Sequence, residues 1–358
     1  MSWQAALERP GPTFLPAYVR RLGEPGGARG ATVEALAFLG PRIGWAEYGA
    51  HVPLGLVGLR AVWRLRDVLS ERSFQRALGL QLAMAAREGR GPEPVELPAK
   101  ASEVDWSDMA TLGYKPVFAL HFADLDRRLE RPGQSDPLVA HVVAQVAPDR
   151  YWHRLAERRL GRPAPATAPE EALLEGGVVE AMAAVAGLLA AGGDPLPLLV
   201  AGACRRLQDA TRELQGQTSW LLVYLAALAE ARPSEPHPWL QAAALVNFFP
   251  GLEPEAPAPQ AREGELLDAV LDGEDRLASA LAAARGAEAL PVLVEAATRN
   301  DPAFNHGRQV LAAAAVLDLA THLPEACLGP LAAALATSLA RGQGSCDQAL
   351  LLERLLGP

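Results

Sequence analysis

Lysine is nearly missing from this chain: of 33 basic residues only Lys100 and Lys115 are lysines. Isoleucine is almost absent as well, while proline is abundant, a pattern of GC-rich coding that lowers the meaning of any single Arg or Pro. Aromatic residues make up 6% of the chain, and its apolar half is carried by Ala and Leu. That balance excludes a sheet-rich fold and favours helix. Cysteine is scarce and odd in number: Cys204, Cys327 and Cys346 are far apart, which excludes a disulfide framework or a Cys-rich zinc site and leaves reduced thiols. No run of about 18 to 20 uninterrupted apolar residues occurs. The best candidate, residues 311–319, is short and carries Asp318. Residues 1–20 have no apolar core of a secretory signal, so the expected location is the cytoplasm, with no membrane partner.

The net charge of −9 is spread along the chain, which excludes a nucleic-acid footprint of clustered basic residues. One stretch departs from this. Between residues 60 and 90, Arg60, Arg64, Arg66, Arg72, Arg76, Arg87 and Arg90 outnumber Asp67, Glu71 and Glu88. The first expectation is a solvated helix face; an anionic substrate or a partner surface is the alternative. Familiar catalytic signatures are missing too: no Gly-x-Gly-x-x-Gly, Walker motif, Gly-x-Ser-x-Gly elbow or His-Glu-x-x-His is present.

What the chain does have is apolar residues at helical spacing almost throughout, cut by Pro/Gly clusters into helix-sized segments. The expected helices cover residues 31–39, 43–50, 54–68, 70–88, 117–130, 137–158, 169–191, 195–214, 218–231 and 238–248. Six more are expected at 264–271, 274–284, 291–297, 302–322, 324–341 and 346–356. The 358 residues suit one large α-helical domain, with a sub-boundary near residues 250–260. Residues 51–89 and 306–342 overlay. Each stretch begins with His, runs through an apolar helix with a late Asp (Asp67, Asp318), turns, and closes a second apolar helix on Arg/Gly. A helix-pair repeat of roughly 37 residues predicts an all-α array of antiparallel helix pairs, either a duplicated bundle or a HEAT-like stack.

The most specific local motif is Asp-Pro-x-x-x-His, at Asp136-Pro137 to His141 and at Asp301-Pro302 to His306. Asp is a strong N-cap and Pro suits the first helical position, so each motif should open a helix and hold an imidazole near its start. A helix N-terminus disfavours the charged imidazole, leaving the form that ligates metal or acts as a base. Asp194-Pro195 opens a helix with Leu199 in the matching place, so Asp-Pro alone is a helix starter. If residues 45–51 are helical, Glu47 and His51 share a face four residues apart. His121 and Asp124 share a face in the same way, as two ligands, as a base with its orienter, or as a satisfied polar contact. His153, in an aromatic stretch, His237, between two prolines, and His322, at a helix end, are weaker candidates. Gln215 to Trp220 is a polar island read as a loop, with a pocket lining as the alternative.

Helices opened by histidines, with Ala/Leu-rich helix pairs behind them, resemble the questin oxidase-like family and the His-rich helical domains fused to Rieske modules. The resemblance covers residues 43–130 and 302–342. It implies an oxidase or oxygenase acting on a small aromatic or polyketide-like molecule, and carries over His51, His121, His141 and His306. The expected function is therefore an oxidoreductase of secondary metabolism. Its pocket would hold non-haem iron on His51, His121, His141 and His306, with Glu47 and Asp124 as carboxylates and Trp45, Phe118 and Phe304 as an apolar wall. The competing expectation is a non-enzymatic helical-repeat scaffold that holds a protein or peptide in a concave groove.

Overall fold

The computed structural model describes residues 2–43, 53–89, 93–98, 105–160, 168–210, 214–249, 265–299, 307–344 and 347–357. It is all-α, with no strand among those residues. In chain order the helices begin with α1 (Trp3–Glu8), α2 (Phe14–Leu22), α3 (Gly27–Leu39), α4 (Leu54–Leu65), α5 (Glu71–Glu88), α6 (Ala110–Arg128), α7 (Asp136–Ala144) and α8 (Tyr151–Glu157). Then follow α9 (Pro169–Leu174), α10 (Val178–Ala190), α11 (Leu196–Asp209), α12 (Gln215–Thr218), α13 (Trp220–Ala231) and α14 (His237–Phe248). The last are α15 (Leu266–Leu271), α16 (Asp275–Arg285), α17 (Leu290–Ala297), α18 (Arg308–Ala320), α19 (Leu328–Arg341) and α20 (Asp347–Leu356).

Four of these form the centre. α4 packs on α6 and α18, and α13 packs on the other side of both, closing a ring. Contacts along each seam fix the direction of the helices. Asp124 of α6 meets Arg60 of α4, and four residues on Arg128 approaches the carbonyl of Trp63. Tyr114 stacks on Trp220 at one end of α6 and α13, while Arg127 approaches Glu230 at the other. Gly216, just before α13, lies against Arg308, the first residue of α18, and Arg232 meets His322 after both helices end. All four helices therefore run in the same sense, with their N-termini at one pole of the ring and their C-termini at the other. Helices outside the ring return the chain. α5 runs antiparallel to α4, with Glu88 beside Gly55 and Phe74 beside Trp63. α19 runs antiparallel to α18, where Gln309 Nε2 donates to the carbonyl of Leu339. Thus the two segments that overlay in sequence place their first helices, α4 and α18, side by side.

Several expected helices are cut. Residues 137–158 divide into α7 and α8 around Pro148, which cannot continue a helix, and residues 169–191 divide into α9 and α10 at Gly176-Gly177. The expectation for residues 43–50 lies outside the described residues, apart from Ile43, which is extended. α1 and α2 were not expected; Trp3, Phe14 and Tyr18 stack to hold them together. One described stretch, Asp275–Ala297, is long and apolar enough by length and composition to cross a membrane. It is not one straight helix: a 3₁₀ turn at Gly286–Ala289, where Gly286 takes φ 54°, breaks it, and α16 packs along α19.

Candidate functional site: two poles of a helix ring

At the C-terminal pole the charges pair off. Arg60 Nε donates to Asp124 Oδ2 at 2.7 Å and Nη1 to Asp318 Oδ2 at 2.5 Å. Arg64 Nε donates to the other Asp318 oxygen at 2.6 Å. Asp124 also receives Arg128 Nε at 3.1 Å and lies 3.1 Å from Arg127 Nη2, and Glu230 closes the cluster 3.4 Å from Arg60. The expectation of a solvated arginine face holds for Arg66, Arg72 and Arg87, which are exposed, and is corrected for Arg60, Arg64 and Arg76. Arg60 is 4% exposed and Arg76 3%, the latter tied to Glu295, Glu353 and Thr298. These guanidiniums link helices instead of facing water. Paired charges near helix C-termini also suit the partial negative charge there.

His121 and Asp124 are both buried beside this cluster. Every oxygen of Asp124 is held by arginine, and the cations keep its carboxyl below the usual range against the opposing effect of burial. His121 is held neutral, well below the usual imidazole range, by burial first and Arg60 second, and its Nδ1 has no partner. The pair is therefore not a base with its orienter. His141 lies elsewhere. α7 spans only Asp136–Ala144, so the imidazole falls in the last turn and not near the start. There Gln145 Nε2 donates to His141 Nε2 at 2.8 Å, and that nitrogen lies 3.3 Å from the Ile43 carbonyl. Asp136 is the first helical residue of α7, and Ser135 occupies the cap. In α11, by contrast, the Asp194 carboxylate does receive the Leu196 N–H. Glu47, His51 and His306, with Trp45 and Phe304, lie outside the described residues; Phe118 is core. The iron that the resemblance implies finds no ligand set in His121, Asp124 and His141. One carboxylate is saturated by three cations, and the two imidazoles have separate surroundings.

The N-terminal pole is built differently. None of α4, α6, α13 and α18 has a side-chain cap hydrogen bond or an acidic residue in its first turn. Between α4 and α18 sits Gln81 of α5, fully buried. Its Nε2 donates to the carbonyls of Leu54 and Gly55, and its Oε1 has no partner. A Cβ on Gly307 would stand 2.9 Å from that oxygen, so glycine is needed here for close approach as well as for its φ of 69°. Arg308 follows and lies across Gly216, its Nε buried without a hydrogen bond and its guanidinium without a carboxylate among the described residues. Beside it Tyr114 and Trp220 stack with centroids 3.4 Å apart and planes at 13°. Burial pushes the Tyr114 phenol up to about 12, with Arg308 working against it. Glu88 receives the Gly55 N–H at 2.8 Å, and burial raises its carboxyl to about 8. That shift favours its neutral form at the pole.

The backbone here is strained. Thr111, Leu112 and Gly113 take φ of 52°, 61° and 77°, three left-handed residues in a row at the start of α6. Left-handed geometry costs an L-residue roughly 1–2 kcal/mol. Surrounding bonds enforce it. Lys115 Nζ donates to Asp108 at 2.7 Å, Asp108 receives the N–H of Ala110 and of Asp149, and Trp220 Nε1 donates to the Leu112 carbonyl at 3.0 Å. A methyl on Gly113 would overlap the Tyr224 ring. The polar island 215–220 thus folds as α12 and the start of α13, facing this pole through Gly216 and Trp220.

A third cluster lies apart from both poles. His153, Glu157 and His237 offer ligand atoms that all lie within 4.8 Å of one another, the one such group of three among the described residues. The other described histidine, His322, receives Arg232 Nη2. In comparison with known proteins, no family model, no curated protein and no solved structure matches this chain.

Proposed function

We propose that the N-terminal pole of the ring binds a small, anionic, aromatic molecule. We further propose that the chain acts on it as an oxidoreductase, the class implied by the sequence resemblance. The observation that carries the binding step is the buried Arg308 Nε, without a hydrogen-bond partner and with no carboxylate on the guanidinium among the described residues, beside the N-termini of α4 and α18, which lack acidic or side-chain caps. Helix N-termini place about half a positive charge each toward an anion, and their free N–H groups point at it. An arginine fork suits a carboxylate or a phenolate. The Tyr114–Trp220 stack supplies a flat apolar wall for a ring, and Gln81 Oε1 remains to accept a bond from a hydroxyl. Strain held at Thr111–Gly113 fits a site that keeps its shape before the ligand arrives.

A thermal-shift screen tests the binding step. Aromatic carboxylates and phenols are compared with their neutral amides and methyl ethers, on the wild type and on Arg308→Gln. Anionic rings are expected to raise Tm and their neutral counterparts not, with the gain lost in the variant. A panel in which charge makes no difference, or in which Arg308→Gln responds as the wild type does, overturns the proposal and returns the scaffold reading. The redox step is read separately, by oxygen consumption with any ligand that binds.

A further inference from the structure

Away from the ring, α8 crosses the start of α14, and the crossing brings two histidines face to face. Their ring centroids are 4.7 Å apart at an interplanar angle of 41°. His153 is in the middle of α8 and Glu157 follows one turn later, so both side chains leave the same face, with Nε2 and Oε1 3.7 Å apart. His237 is the first residue of α14. Its neighbour Glu235 reaches back to within 3.9 Å of Nδ1. The approach is fixed from outside by Trp152 packing on Phe248, 5.8 Å between centroids, and by Asp149, which receives the Tyr151 N–H to start α8.

Two imidazoles packed this closely need something between them. The Nδ1 atoms of both His153 and His237 are buried and have no hydrogen-bond partner. Buried ring nitrogens left unpaired are costly, and no donor among the described residues serves either. A cation would, because each neutral imidazole offers a lone pair. With ligand bonds of about 2.0–2.1 Å, tetrahedral donors stand about 3.4 Å apart. The present spread of up to 4.8 Å has to close by about 1.4 Å to reach that spacing. Two imidazoles and a carboxylate form a borderline donor set that suits first-row divalent ions better than calcium or magnesium.

We infer that His153, Glu157 and His237 form a binding site for one divalent transition-metal ion, which clamps α8 onto the first turn of α14. Glu235 is placed to add a fourth ligand, and otherwise water completes the shell. The site is independent of the anion pole, since it shares no residue with it.

The test uses the full chain, freed of metal by chelation, with Zn²⁺ as the titrant in calorimetry and Co²⁺ as a spectroscopic reporter. One Zn²⁺ per chain is expected, with a rise in Tm on loading. His153→Ala and His237→Ala should each weaken binding about a hundredfold, the share of one ligand in a structural zinc site. Glu157→Gln should weaken it less and change the Co²⁺ visible spectrum. Because these side chains are partly exposed, the variants should keep the wild-type circular dichroism, and His153→Gln serves where Ala does not fold. Failure to take up Zn²⁺ at 100-micromolar concentration (about −5.5 kcal/mol) would overturn the site. So would unchanged affinity in the His153→Ala/His237→Ala double variant, which would place the ion elsewhere. Neither result bears on the response of Arg308→Gln to aromatic anions.

Discussion

The two poles of the ring are made from the same four helices and have opposite polar economies. At the C-terminal pole Arg60, Arg64, Arg127 and Arg128 meet Asp124, Asp318 and Glu230, and every buried charge has a partner, the neutral His121 beside them being the one group with an unpaired ring nitrogen. At the N-terminal pole Arg308 Nε and Gln81 Oε1 are buried alone, no acid stands in the first turns, and the backbone is left-handed for three residues. A satisfied network makes structure and asks for nothing more. An unsatisfied one, kept at a cost in strain, is where a missing component belongs.

The contrast can be broken most severely at its closed end. Asp318→Asn leaves Arg60 and Arg64 facing a neutral amide in a buried site, and a loss of about 3–5 kcal/mol is expected in urea unfolding. A loss under 1 kcal/mol would mean that the pairing contributes little. Next comes the strained turn. Gly113→Ala drives a methyl into the Tyr224 ring at a positive φ, which should cost about 2–4 kcal/mol by the same measurement. Glu88 gives a smaller effect that depends on pH. Its folded carboxyl titrates near 8 against an ordinary 4.5, so the unfolded chain releases the proton first as pH rises between those values. Stability is therefore lost through that window. Glu88→Gln keeps an acceptor for Gly55 N–H and should gain about 2–4 °C in Tm at pH 9 with no gain at pH 4. An equal gain at both pH values would assign it to packing. The smallest effect is expected at the open end. Arg308→Gln should change stability by less than about 0.5 kcal/mol, because no ion pair among the described residues is lost. A large loss there would show that Arg308 is structural and erase the difference between the poles.

Helix existence was readable along most of the chain because local signals agree with the fold. Pro53 precedes α4, and Ser70 caps α5 by accepting the Ser73 N–H. Local reading failed where the decision is made at a distance. The left-handed turn before Tyr114 is imposed by Asp108, Lys115 and Trp220, and Thr-Leu-Gly carries no local mark of it. Arg60 looked like a surface residue because its partners are 64, 170 and 258 positions away. His153 and Glu157 were readable as one helix face. Their meeting with His237 was not, since the crossing of α8 and α14 rests on packing between Trp152 and Phe248. Asp136-Pro137 and Asp194-Pro195 do open helices, while Asp301-Pro302 lies outside the described residues, and the early end of α7 puts His141 in its last turn, the wrong end for the role expected of it.

The Arg60–Asp318 pair also sets a condition on how the chain reaches its native state. Contacts that span most of the sequence slow folding, since the loop must close before the contact rewards it. A growing polypeptide that has reached only residue 300 has placed Arg60 and Arg64 but has not yet made Asp318. Until that carboxylate arrives, burying α4 in the ring leaves Arg60 to Asp124 and Glu230 and takes from Arg64 its closest carboxylate. The helix pair α4–α5 must therefore wait partly solvated through the synthesis of α18. In that interval it is open to holdase chaperones and to proteases, and the commitment step of folding comes late in translation.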